Sequence, residues 1–441
     1  MRDSLTIPAG GAYRLVNANV PECLLPEDTV RGAPIGPAED ELAGVDMTID
    51  ALGRVAEIQA AATLERRVPK IDLEGAMVIP SPIDVHTHLD KGHIWPRAAN
   101  PDGSFMGALK TVAEDREANW SSDDVRARMA FSLKSAYAQG TRAIRTHLDS
   151  VPPQHSISWP VFAELKEEWA DKIELQAAPL FSIETATPEY LDEIAQLIKP
   201  HGGPLGCVAY MIDGVDAALD RVFKTAADNG LDLDFHVDET EDPKAEALSR
   251  IALAAERNAF EGKVLCGHCC SLALHEEGRA KKTLDLMAKR NIAVVSLPLC
   301  NMYLQDRHAG RTPRWRGVSL LHEMAERDIP VMVASDNTRD PFYAYGDLDL
   351  WEVFRSGVRT IHLDHPLGDW IKTITDTPAK IMGLDAGYFA PGILFDAIIF
   401  RGRSYSETLS RAEAGRTVIR NGRAIDTTLP DFDELDDRVG G

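Results

Sequence analysis

Basic residues are in short supply. The 441-residue chain holds 47 Lys and Arg against 69 Asp and Glu, a formal net charge of −22, and no basic stripe interrupts that balance. Such a field repels nucleic acid and anionic membranes instead of recruiting them. A continuous apolar run long enough for a membrane span is missing, and Met1-Arg-Asp-Ser-Leu5 meets an acid at once, without the apolar stretch of a secretory signal. The expectation is a cytoplasmic protein that binds neither nucleic acid nor membrane. Cysteine is sparse too: Cys23, Cys207, Cys266, Cys269, Cys270 and Cys300 lack the spacing of a disulfide framework or a zinc ribbon, and read as mostly buried small apolar residues. There is no internal repeat, no low-complexity tract and no Gly-rich loop of the kind that cradles phosphate.

What the chain does contain is a rhythm of short apolar runs. They occur at 77–85, 143–145, 173–177, 205–210, 231–235, 264–266, 292–296 and 330–334, each bounded by turn or cap residues. Between most of them lie segments with helical spacing, such as 125–139 after the cap candidate Ser122 and before Gly140, and 243–260 before Gly262. Alternating strands and helices predict an α/β chain whose eight units close as a (β/α)8 TIM barrel. The chain is longer than the roughly 250 residues of a bare barrel. The surplus lies at the ends: β-like pieces at 12–16, 46–49 and 54–58 are mirrored by 395–400 and by a hairpin at 417–420 turning on Asn421-Gly422. The expectation is a small β-sandwich domain built from both chain termini, 1–76 and 391–441, around a barrel over 77–390, with the acidic stretch 431–438 as a solvated end.

The histidines and acids then acquire a pattern. His86 and His88, His147, His236 with Glu239, His268 and Asp336 each fall at the C-terminal end of a predicted strand, the end at which such barrels build their sites. Two histidines at i and i+2 on a strand point the same way and can bite one metal ion. With His236 and Asp336 they make a three-His, one-carboxylate set suited to a borderline divalent ion, Zn2+ or Fe2+, with a position left for water. Water acidified there would be the nucleophile, and the Asp336 carboxylate can accept its proton. Glu239, three residues beyond His236, fits a general acid and base that moves a proton to a leaving nitrogen. A plain surface role is its alternative, since Asp238, Glu241 and Asp242 crowd the same loop. His268 is placed to hold the water and stabilise charge, or else is structural. His147 either supports a metal ligand from behind or ties loops together.

The runs Ile79-Pro-Ser-Pro-Ile-Asp-Val-His-Thr-His-Leu-Asp-Lys91, Arg145-Thr-His-Leu-Asp149, His236-Val-Asp-Glu239, Gly267-His268 and Ser335-Asp-Asn337 together resemble the amidohydrolase superfamily, in particular its cytosine deaminase branch. The segments 298–307 and 340–346 resemble loops of the same branch. The resemblance implies a mononuclear site with His86, His88, His236 and Asp336 as ligands, Glu239 as proton shuttle and His268 beside the water. Binuclear members bridge two metals through a carboxylated lysine after the fourth strand, and residues 205–213 contain no lysine. Against the bacterial cytosine deaminase pattern, Leu180 stands where a glutamine reads the pyrimidine edge, Asn337 replaces an aspartate and Phe342 a tryptophan. A site built to hydrogen-bond particular ring atoms discriminates strongly, so the expected substrate widens from cytosine to related pyrimidines, for example 5-substituted ones, and other N-heterocycles. Leu180, Ser182, Gln305, Asn337 and Phe342 are the expected substrate contacts.

The leading reading is hydrolytic deamination of a small N-heterocyclic partner by one divalent metal ion, with homo-oligomerisation left open. Removal of an N-alkyl amine from a triazine-like ring, or opening of a cyclic amide, is the alternative within the class. A noncatalytic barrel that binds a small ligand is the alternative outside it. The His-x-Glu with Pro-Cys-x-x-Cys signature of the unrelated zinc-dependent cytidine deaminases is absent.

Overall fold

Apolar residues at alternate positions near both ends of the chain form two sheets that share one core. The computed structural model describes residues 5–36, 41–61, 68–411 and 415–440, so the outermost bounds of the expected units lie outside the described residues. β1 (Tyr13–Pro21), β2 (Leu42–Ile49), β3 (Val55–Ala60) and β4 (Lys70–Asp72) order as β3-β2-β1-β4. β5 (Val78–Pro80) leaves that end of the chain to pair antiparallel with a strand from the other.

Eight strands follow as the barrel. They are β6 (Ile83–Thr87), β7 (Ala143–Asp149), β8 (Glu174–Leu180), β9 (Leu205–Ala209), β10 (Leu233–Val237), β11 (Val264–His268), β12 (Ala293–Ser296) and β13 (Val331–Val333). The parallel sheets β6-β7-β8 and β9 to β13 are joined at both edges, by the Thr87–Asp336 and Ser182–Val208 bridges, so the ring closes as a TIM-barrel type fold. Helices such as Val215–Asn229 and Ala247–Arg257 cover the outside with their apolar faces. The chain returns through β14 (Ala397–Phe400), β15 (Arg416–Arg420) and β16 (Arg423–Ala424), which with β5 form the second terminal sheet. Tyr13, Val45, Met47, Val78, Phe395 and Ile419 bury one apolar cluster between the two sheets. Asn421 and Gly422 both take positive φ at the β15–β16 turn, as their dipeptide predicts.

Several boundaries differ from the sequence reading. The single run at 77–85 is two strands in two sheets, because Pro80 and Pro82 lack the N–H groups a continuous ladder needs, and the chain changes sheet at Ser81. The crossing from terminal sheet to barrel therefore falls after β5, beyond the expected break at 76/77. Ser121, not Ser122, caps the helix Ser122–Gln139, accepting from the Asp124 N–H at 3.3 Å. The helix expected over 243–260 is confined to Ala247–Arg257, because the Asp238 carboxylate accepts from the N–H groups of Ala247 and Leu248 and fixes its start there. Residues 431–438 are not a free end. Leu435 and Val439 bury against Phe131, Lys134 pairs with Glu434, and Arg97 donates to the Arg438 carbonyl oxygen. Their acids alternate with apolar residues that the helix 122–139 has room to cover. All six cysteines are free thiols and five are buried. Among the described residues no helix is long and apolar enough to cross a membrane.

Candidate active site

Polar residues at the strand ends belong to the ladder, and the barrel turns them inward. β7 runs on to Asp149 opposite Leu180, and β11 to His268 opposite Val237, so His147, His236 and His268 are strand residues instead of loop residues. His86 and His88 project from the end of β6 with the same sense. Asp336 lies beyond β13, its backbone N–H donating to the His86 carbonyl oxygen at 2.9 Å, with a φ of 65° and its side chain toward the histidines.

Four ligand atoms meet there. His86 Nε2 and His236 Nε2 are 3.1 Å apart, His236 Nε2 and His88 Nε2 3.2 Å, and Asp336 Oδ1 stands 3.2 Å from His88 Nε2 and 3.6 Å from His86 Nε2. Three imidazole nitrogens facing one another cannot satisfy each other by hydrogen bonds. Burial holds all three histidines well below the usual imidazole range, so they are neutral and their Nε2 lone pairs are free to converge. The edge of a tetrahedron of nitrogens about 2.05 Å from zinc is roughly 3.3 Å, so the spacing fits one small divalent cation. Among the described residues no N–H or O–H group donates to the buried Asp336 oxygens, which fits the same ion.

Beside this set lie Glu239, Asn301 and His268. Asn301 Nδ2 donates to Glu239 Oε1 at 3.3 Å and to His268 Nδ1 at 3.0 Å. With Nδ1 accepting, the His268 hydrogen is on Nε2, which has no partner among the described residues. His268 and Cys269 both adopt positive φ, 67° and 52°, an uncommon pair of left-handed residues that ends β11 and turns the ring into the site. Burial first, then the negative Asp336, raise the Glu239 carboxyl well above the ordinary carboxylate range, so it can carry a proton to give.

The other expected residues are brought to the same end of the barrel in different ways. His147 packs against His86 with ring centroids 4.1 Å apart and planes tilted by 40°, makes no hydrogen bond to it, and its Nε2 is 3.8 Å from Asp234 Oδ1. Asn337 gives its amide to Asp340 at 2.6 Å. Phe342 lies between the Phe105 ring, at 5.5 Å, and the Lys91 ammonium, at 5.7 Å. Cys300 links these two to the centre, donating toward Asn337 and the Phe342 carbonyl and approaching Asp336. Ser182 bonds the Tyr210 hydroxyl at 2.8 Å. Leu180 is half-buried at the end of β8, and Gln305 is buried against Gly317. None of these last three touches the histidine cluster through a hydrogen bond among the described residues.

Asn301 and Lys91 were not singled out by sequence. Lys91 is buried and pairs with Asp149 at 2.8 Å, which also holds Arg116 at 2.7 Å. The signal for Lys91 was a charge three residues past the His86-Thr87-His88 motif. Asn301 offered only its place just after the seventh barrel strand.

Residues 133–425 match the amidohydrolase family. The chain is 52% identical over 435 residues to the pterin deaminase of Rhizobium rhizogenes, covering 98% of both. It is 23% identical over 390 residues to the N-isopropylammelide isopropyl amidohydrolase of a Pseudomonas species, covering 83% of this chain and 91% of that one. Among solved structures, the 5-methylcytosine deaminase from Klebsiella pneumoniae superposes with a TM-score of 0.79 at 23% identity, over 93% of this chain and 97% of that one. That last likeness bears on the fold alone.

Proposed function

The chain belongs to the amidohydrolase family, and from that premise we propose that it deaminates a pterin by hydrolysis, at a single divalent metal ion held by His86, His88, His236 and Asp336. The observation that carries the reaction is the Glu239–Asn301–His268 group set beside a converged three-His, one-carboxylate cluster. The ring comes from the relative that matches 98% of the chain. A pterin presents the same reacting unit as the cytosine expected from sequence, an amino-bearing carbon doubly bonded to a ring nitrogen. It adds a second fused ring, which accords with Leu180, Asn337 and Phe342 departing from the cytosine pattern.

When bound, Zn2+ or Fe2+ supplies Lewis acidity that brings the pKa of a water toward neutrality. The residues of the chain do the rest. Asp336 accepts a proton as the water oxygen bonds to the amidine carbon. Glu239 gives its proton to the adjacent ring nitrogen, the proton taken by Asp336 passes to the amino group, and as the C–N bond breaks to release ammonia the added hydroxyl returns a proton to Glu239 and becomes the carbonyl. His268 donates from Nε2 to the oxygen being added, where negative charge builds up. His147 supports the back of the His86 ring. We also read the two terminal sheets, 1–76 with 391–441, as one small β-sandwich flanking a barrel over 77–390.

The test is ammonia release by metal-loaded protein offered pterin, cytosine, 5-methylcytosine and N-isopropylammelide. Pterin is expected to be turned over best, and Glu239→Gln is expected to lose roughly 10²- to 10⁴-fold in kcat while keeping its metal. Turnover of N-isopropylammelide in place of pterin would transfer the chain to the N-alkyl reaction. Activity undiminished in Glu239→Gln would remove Glu239 from the mechanism.

A further inference from the structure

Over the Glu239–Asn301–His268 group the charge of the protein reverses. Residues 305–317 hold four arginines, at 307, 311, 314 and 316, against one acid, Asp306, in a chain of net charge −22. The fold keeps this segment at the barrel mouth. It continues from the helix Pro298–Leu304, whose Asn301 bonds Glu239. Arg307 packs on Gly103 in the loop after β6, where an added Cβ would meet its Cδ at 2.5 Å. Asp306 and His308 lie beside Glu241 in the loop after β10. Past the segment, the Ser319 hydroxyl donates to the His268 carbonyl oxygen. The segment that carries the arginines therefore spans the opening, from the β6 side to the β10 side.

Little of this positive charge is neutralised. Asp306 pairs with Arg311 and accepts from the backbone N–H groups of Arg314 and Trp315. Arg307 donates to the Tyr303 carbonyl oxygen and Arg316 approaches Met302 Sδ. Among the described residues Arg307, Arg314 and Arg316 have no carboxylate partner, and all three are exposed. Next to them Tyr303, Tyr343 and Tyr345 stand edge to face with centroids 5.6 to 6.0 Å apart, the Arg307 guanidinium lies 4.4 Å from the Tyr303 ring, and Tyr345 is 64% exposed. Aromatic faces accept a flat ring, and guanidinium groups without a carboxylate partner donate to the oxygens of a carboxylate or phosphate.

We propose that this arginine rim is a binding site for an anionic substituent, carboxylate or phosphate ester, carried by the fused ring on the side away from the reacting carbon. The preferred substrates are then acidic pterins. This inference rests on the pterin reading of the catalytic site. It also accounts for how a strongly acidic protein admits an anion: a local positive field at the opening overcomes the repulsion of the whole.

The experiment compares kcat/KM for pterin, pterin-6-carboxylate and the phosphate ester of 6-hydroxymethylpterin. An advantage of roughly ten-fold for the acidic pterins at low salt, shrinking as salt screens the rim, is the expected result. In R307Q/R314Q/R316Q the ratio of acidic to neutral substrate falls toward one, whereas R307K/R314K/R316K, with the charges kept, retains most of it. The larger of the two acidic advantages identifies carboxylate or phosphate as the group read. If the glutamine variant fails to fold, the lysine variant and the salt response of the unaltered protein still decide. A wild-type ratio near one, a ratio indifferent to salt, or one that survives the glutamine substitutions overturns the rim while leaving the deaminase reading intact. Turnover of no pterin at all overturns both.

Discussion

Asn301 holds together the two groups nearest the proton-transfer chemistry, donating to both Glu239 and His268. Asn301→Ala is therefore expected to lower kcat roughly 10- to 100-fold with metal content unchanged. Metal analysis alongside steady-state kinetics checks this, and loss of metal with activity would make the residue structural. The residues proposed to hold the metal could be picked out in the chain, because histidines and an acid at the ends of predicted strands carry a position as well as a chemistry. Asn301 was not legible. A buried amide in a seven-residue helix leaves no periodic trace, and its importance arises only from partners 62 and 33 positions away. Lys91 and Cys300 are of the same kind, polar atoms whose role depends on what the fold sets against them.

Strand β11 shows how closely an element must fit its neighbour. Gly267 lies beside His86, and a Cβ there would stand 2.9 Å from His86 Cε1 and 3.2 Å from its Nδ1, with no room for either to yield inside a closed barrel. Gly267→Ala should push the imidazole out of line and weaken metal retention by roughly 10- to 100-fold, measured as metal left after dialysis against a chelator. Unchanged retention would show that β6 can shift. All eight barrel strands could be located from their apolar runs, but their ends could not. Inward-facing polar residues look like loop in a hydropathy reading, although the hydrogen-bonded ladder runs through them to His268 and Asp149. The change of sheet at Ser81 had a local cause, two prolines, yet which sheet each half joins depends on β14, more than 300 residues later.

At the scale of the whole molecule, the C-terminal stretch closes over the same end of the barrel. His93 is 2% exposed, its ring 4.8 Å from Phe131 and 6.5 Å from Phe432, and its N–H donates to the Thr338 carbonyl oxygen in the loop that carries Asp336. Arg339 of that loop lies 3.9 Å from the Phe432 ring. Burial, with Arg339 and Arg128 nearby, lowers the His93 pKa from 6.5 to about 3. Below pH 6.5 the unfolded chain takes up a proton that the folded chain refuses until about pH 3, so stability falls as pH drops through that window. For this group the loss between about pH 7.5 and pH 5 is about 2 kcal/mol. Denaturant unfolding at the two pH values should show His93→Gln losing less stability than the unaltered protein by that amount. An equal loss in both would mean that His93 is neutral for some other reason, or protonated without penalty.

Taken alone, the sequence determined the kind of protein this is: a barrel of alternating strands and helices, an acidic chain, and a cluster of histidines and acids at one end. Those properties are local or additive, since an apolar run, a net charge and a strand-end position are each readable within a few residues. The tertiary structure alone decided which polar side chains face one another. It converged His86, His88, His236 and Asp336 to within 3.1 to 3.6 Å. It also placed Asn301 between Glu239 and His268, set the segment 305–317 across the mouth, and folded the acidic tail back onto the helix 122–139. Contacts between residues far apart in the chain have no signature in either segment, because the energy that selects them exists only once the barrel has closed.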